Sequence, residues 1–115
     1  MDDHSALVAF AALSQATRLR VIRDLVVAGP DGLPAGIIAE KAEVSPSNIS
    51  FHLKELEHAG LIEARRDSRS IIYTARYDVL GDLVAFLVRD CCANDPSIRN
   101  VLDRPGCGEG ASAAS

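Results

Sequence analysis

The chain has 115 residues, 48% hydrophobic and 24% charged, which suits one modest globular domain and leaves little room for a second. No apolar run approaches the ~20 residues of a membrane span, and the acidic start "MDDHSALVAF" lacks the basic flank of a signal peptide, so the expected location is the cytoplasm. The net charge of −4 argues against a broad basic face; over residues 45–75, however, four basic side chains balance four acidic ones, and the acid excess lies to either side.

Residues 5–14 place Leu7, Phe10, Ala11 and Leu13 on one side of a predicted first helix. Thr17 reads as the N-cap of a second, in which Leu19, Ile22, Leu25 and Val26 follow at helical spacing to about Ala28. "GPDGLP" is a break. A short third helix is expected from Pro34 to Ala42, with Pro34 in its first turn and Ile37, Ile38 and Ala42 apolar.

In "EVSPSNISFHLKELEHAGLI", Ser45 reads as an N-cap, Pro46 as the first helical residue and Gly60 as the residue that ends the helix. Ile49, Leu53 and Leu56 form its apolar stripe. A short link joining a weaker helix to a stronger one is the outline of a helix-turn-helix. The period then changes to two: Ile62 and Ala64 alternate with Glu63 and Arg65, "RDSR" is a tight polar turn, and "SIIYTA" is β-branched and aromatic. The expected fold is therefore mainly α with a small two-stranded β-hairpin, a winged helix.

The last predicted helix, "DVLGDLVAFLVRDCC", is apolar nearly all round, through Val79, Leu80, Leu83, Val84, Phe86, Leu87 and Val88. One face can pack on its own domain; the other asks for the same helix of a second subunit, giving a homodimer. Residues 1–93 are assigned to this domain, and residues 94–115, rich in Pro, Gly, Ser and Ala, to a flexible tail carrying Cys107.

On a helical wheel of residues 47–58, Ser47, Phe51, Lys54 and His58 oppose the apolar stripe, with Asn48 and Ser50 on the flanks. The exposed N-terminal part of such a helix is what enters a major groove. Ser47, Asn48 and Ser50 suit phosphates or base edges, Phe51 a thymine methyl or a sugar, and Lys54 a phosphate. A capping sequence accounts for Ser45 and not for an exposed Phe51. Arg65, Arg66, Ser68 and Arg69 put arginines in the wing beside this helix, a placement that suits backbone or minor-groove contact. A solvated charged turn is the competing reading for any one of them. His52 falls at the flank of the core, where a hydrogen-bonded structural histidine is expected before a metal ligand.

The stretch "NISFHLKELEHAGLIEARRDSRSIIYTA" resembles the ArsR/SmtB family of winged-helix repressors, with the likeness running over roughly residues 5–92. The resemblance implies a homodimer paired through the first and last helices, which binds operator DNA and releases it when an ion binds. It also carries the family's DNA contacts onto Ser47, Ser50 and Phe51, with the wing near Arg66 and Arg69. The chain departs from the family in one respect. Many arsenic-sensing members have a Cys-Val-Cys element before the recognition helix; "LPAGIIAEKAE" holds no cysteine. Members sensing zinc or nickel at the last helix use Asp and His pairs, and here no histidine follows His58.

Three cysteines remain: the adjacent Cys91 and Cys92, and Cys107 in "RPGCGEG". A reducing compartment and an odd count argue against disulfides. Adjacent helical residues point about 100° apart, so the pair cannot both fill the core. Zinc asks for four N/S ligands and hard ions ask for oxygens. Trivalent arsenic or antimony, soft and pyramidal, is satisfied by three thiolates. Cys91, Cys92 and Cys107 are therefore the candidate ligands of As(III) or Sb(III) as an inducer. This resembles arsenical-responsive members with a vicinal pair after the last helix and a third cysteine downstream, although the spacing to the third is longer here. The pair without Cys107 would suit a methylated arsenical. A thiol-based redox-sensing repressor, or a sensor of another soft ion, is the alternative. A thiol enzyme would need a nucleophilic cysteine in a preorganised, electropositive pocket; Arg89 and Arg99 are weak support for one, and no phosphate-type oxyanion loop precedes the cysteines. A winged helix used for protein contacts alone remains a further reading.

Overall fold

A computed structural model describes residues 1–91. The elements run α1 (Asp3–Leu13), α2 (Ala16–Ala28), β1 (Leu33–Pro34), α3 (Ala35–Ala42), α4 (Pro46–His58), β2 (Ile62–Asp67), β3 (Ser70–Ala75) and α5 (Tyr77–Ala85). A 3-10 turn at Gly29–Asp31 precedes β1, and a π-helical segment, Phe86–Cys91, prolongs α5. The architecture is a winged helix-turn-helix, mainly α, with one small antiparallel sheet. Among the described residues no helix is long and apolar enough to cross a membrane.

Local chemistry sets the helix ends. The Asp2 carboxylate accepts the Ser5 N–H at 2.8 Å and opens α1 two residues before the sequence-based start. That bond holds the Asp2 carboxyl below its ordinary range. The cap of α2 is Gln15 rather than Thr17: the Gln15 side-chain oxygen accepts the Arg18 N–H at 3.1 Å, and Thr17 falls within the first turn. Pro34 sits just outside α3, at its cap position. Ser45 caps α4 as expected, its hydroxyl accepting the Asn48 N–H at 3.2 Å, with Pro46 first in the helix. The end of α4 is a Schellman motif: Gly60 turns at φ +79°, its N–H donates to Glu57 O at 3.0 Å, and Leu61 N–H donates to Leu56 O at 3.1 Å. Leu56 and Leu61 are both fully buried, which supplies the apolar contact that accompanies this motif.

The two-stranded hairpin of the sequence reading becomes a three-stranded sheet, ordered β1-β3-β2. β1 pairs Leu33 with Tyr73 and Pro34 with Ile72. Gly32 makes this possible. It turns at φ +69°, and a Cβ there would fall against the Tyr73 carbonyl and within 2.7 Å of the Ile72 and Thr74 methyls. β2 and β3 pair from Ile62↔Ala75 out to Asp67↔Ser70, around the two-residue turn Ser68–Arg69. Ser68 has φ +58°, and a positive φ at the first of two central residues is the type II′ signature.

Val21 and Leu25 of α2, Ile38 of α3 and Ile49, Leu53 and Leu56 of α4 meet Leu61, Ile62 and Leu83 in one core. The contribution of α1 differs from the sequence reading. Ala6, Ala9 and Ala12 are its buried residues and Phe10 and Leu13 pack alongside, while Leu7 is 67% exposed. Alanines let α1 approach closely and leave its larger side chain outward. Tyr77 anchors the start of α5 by donating its hydroxyl to the Val26 carbonyl at 3.1 Å. The last helix does not stay α-helical to its end: from Phe86 it takes i→i+5 bonding.

Candidate nucleic-acid interface

One helix and one hairpin carry the candidate surface. Ile49, Leu53 and Leu56 are buried at 2% exposure or less and fix the roll of α4 against the core. That roll turns Ser47, Asn48, Ser50, Phe51 and Lys54 outward together, all of them exposed. Phe51 is 57% exposed, an unusual position for a large apolar ring. Beneath the first turn, the Ser45 hydroxyl also lies 3.4 Å from that of Ser47.

His52 sits at the flank of the core, as expected, and is half-buried. Its Nδ1 accepts a bond from Arg18 Nε at 3.2 Å, and its ring meets Phe51 edge-on at 5.6 Å between centroids. Burial first, and the Arg18 charge second, hold His52 below the ordinary imidazole value. An acceptor at Nδ1 belongs to the neutral ring, the form that this lowering favours.

The wing arginines divide by role. Arg65 is committed to its own chain: its guanidinium donates to Pro30 O at 3.2 Å and Asp31 O at 3.0 Å, tying β2 to the 3-10 turn. Its neighbour Arg66 leaves the opposite face of the strand. Arg66 and Arg69 are exposed, and among the described residues neither enters an ion pair. The arginine-bonded carbonyls of Pro30 and Asp31 and the Arg18–His52 bond have no signal in the sequence. Their partners lie 34 or 35 residues apart, beyond any local spacing.

Cys91 falls in the π-helical segment. Cys92, Cys107 and the expected tail 94–115 lie outside the described residues. Among the described residues no three His, Cys, Asp or Glu side chains gather as a metal site. Leu7 of α1 and Val84 and Leu87, at 47% and 37% exposure, leave large apolar side chains uncovered on the first and last helices.

Residues 13–65 match the family described as "Helix-turn-helix domain". Over 77 residues the chain is 39% identical to the HTH-type transcriptional regulator YceK of Bacillus subtilis, covering 67% of this chain and 76% of that one. It is 34% identical over 79 residues to the transcriptional repressor SdpR of the same organism, covering 69% and 84%. Among solved structures, an ArsR-like transcriptional regulator from Rhodococcus sp. RHA1 superposes with a TM-score of 0.69 at 26% identity, over 96% of each chain.

Proposed function

From the premise that this chain belongs to the ArsR-like helix-turn-helix transcriptional regulators, we propose that it is a homodimeric repressor that binds operator DNA through α4 and the wing and lets go when trivalent arsenic or antimony binds its thiolates. The observation that carries the DNA part is the outward set Ser47, Asn48, Ser50, Phe51 and Lys54 on α4, together with the exposed Arg66 and Arg69 of the wing. Hydroxyl and amide groups at the start of the helix suit phosphates and base edges, Phe51 suits a thymine methyl, and the cations suit the backbone. The net charge of −4 makes these local contacts, rather than a general field, the source of affinity.

The uncovered side chains Leu7, Val84 and Leu87 support pairing of two chains through α1 and α5. A two-fold dimer of this kind presents two recognition helices to half-sites about 34 Å apart, one turn of B-DNA. Cys91, Cys92 and Cys107 are the thiolates assigned to the inducer. Deprotonated, the three sulfurs would hold As(III) through three soft bonds, and such binding would tie Cys107 to the end of the last helix. That helix belongs to the proposed dimer face, so a change there alters the placing of the two α4 helices. The coupling free energy needed is typically ~1–3 kcal/mol.

The test is fluorescence anisotropy of the reduced protein on DNA from upstream of its own gene, titrated separately with As(III) and Zn(II). Release by As(III) and not by Zn(II) supports the assignment. Cys91→Ser and Cys92→Ser should each abolish release while leaving DNA binding intact; release that survives both substitutions overturns the thiol site. Release by an oxidant, with no response to As(III), would move the same cysteines to redox sensing.

A further inference from the structure

Arg18, on α2, does not belong to the outward set on α4, yet it reaches both α1 and α4. Its Nε donates to His52 Nδ1 at 3.2 Å, its Nη1 donates to the Ala12 carbonyl at 3.4 Å, and its Cζ stands 5.9 Å from the centre of the Phe51 ring. Ala12 is itself buried, so its carbonyl is a fixed anchor. Through one guanidinium, the end of α1, the first turn of α2 and the outward side of α4 are joined. Arginine suits this place because its planar fork bonds in fixed directions while it lies beside an aromatic ring.

Building on the DNA reading above, we infer that Arg18 is a positioning residue for the DNA-facing surface: it holds the pose of Phe51 through His52 and ties that pose to α1. Arg18 commits its Nε and an Nη1 donor inside the protein, and in this role it does not neutralise a phosphate. The arrangement requires His52 to carry its proton on Nε2, leaving Nδ1 as the acceptor. Arg18 is the charged group that bears on His52 among the described residues. Since α1 is also a proposed dimer helix, a displacement of α1 reaches Phe51 by this route.

The experiment uses the full chain and a duplex that the wild-type protein selects from a random-sequence library. Arg18→Gln and His52→Leu should each weaken binding about tenfold, and the double variant should lose no more than either alone. The slope of log affinity against log salt should not change, because no phosphate contact is lost. His52→Asn, whose Oδ1 stands where Nδ1 stood, should recover most of the loss. The ¹⁵N shifts of His52 should report an unprotonated Nδ1 at pH 7. Thermal melts identify a variant that has lost its fold, and the Asn rescue and ¹⁵N shifts then decide the matter. A slope that falls by about one in Arg18→Gln makes Arg18 a phosphate contact and overturns the proposal. Additive losses, a protonated Nδ1, or variants that bind as tightly as wild type overturn it alone. A wild-type protein that selects no duplex overturns the DNA reading and this proposal together.

Discussion

At Gly32 the backbone takes a left-handed turn while pressed against β3, so two separate costs attach to any side chain there. Gly32→Ala should lower the free energy of unfolding by about 2–4 kcal/mol, combining strained φ with overpacking, as read from urea midpoints. His52 makes a second prediction at the same scale. Its folded-state pKa lies below the unfolded value of 6.5, so the unfolded chain binds the extra proton first. Stability contributed by the neutral ring is therefore present above pH 6.5 and lost as pH falls below it. Urea midpoints of wild type should drop between pH 7 and pH 5 by more than those of His52→Asn, which keeps the acceptor and cannot titrate. The exposed His4 and His58 are common to both proteins and cancel in that difference. Some residue roles were readable beforehand: Ser45, Pro46 and Gly60 announce themselves by type and order. Arg18 and Arg65 do not, because each finds its partner far along the chain.

Among the elements, the wing divides between anchor and reach. Arg66→Ala should reduce the slope of log affinity against log salt by about one, the loss of a single phosphate contact. Arg65→Ala should leave that slope unchanged and cost about 1 kcal/mol of stability, since it loses two exposed bonds to backbone carbonyls. The pair of salt titrations separates the two neighbours. The helix-turn-helix and hairpin were legible because their periods, 3.6 and 2, change cleanly at Gly60. β1 was not, since two residues carry no period and Pro34 reads more readily as a helix start. The π-helical turn was hidden for a different reason: Phe86, Leu87 and Val88 are consecutive apolar residues, and so short an apolar run carries no pitch of its own. Thr17 and Gln15 compete for the start of α2 within three residues, and pattern alone favours the residue with the stronger capping preference.

For the molecule as a whole, the question is which surfaces meet another chain. α1 spends alanines on its own core and turns Leu7 outward, while α5 and its extension leave Val84 and Leu87 uncovered. Leu7→Glu combined with Val84→Glu should therefore leave a folded monomer by analytical ultracentrifugation. Its operator affinity should fall by at least ~100-fold, because one subunit contacts one half-site. A double variant that stays dimeric would move the interface elsewhere. The need for a partner was visible in the sequence at the last helix. At the first helix the resemblance implies the same pairing, but hydrophobicity puts Leu7 on one side with Phe10 and Leu13, whereas Ala6, Ala9 and Ala12 fill the core and Leu7 faces outward. The cysteines were legible by number, adjacency and chemistry, which together argue for a soft ion.

The wing is braced at its base from two sides, by the β1–β3 pairing and by Arg65 on the 3-10 turn. Beyond Arg65 two ladder pairs, Arg66↔Ile71 and Asp67↔Ser70, extend without further support. Ordering a loose loop on docking costs about 1–2 kcal/mol for each backbone residue immobilised. Here most of that entropy has already been surrendered in folding. In the proposed repressor the arginine tip would meet DNA as a preformed prong, and docking would be penalised mainly by the freezing of a few side chains.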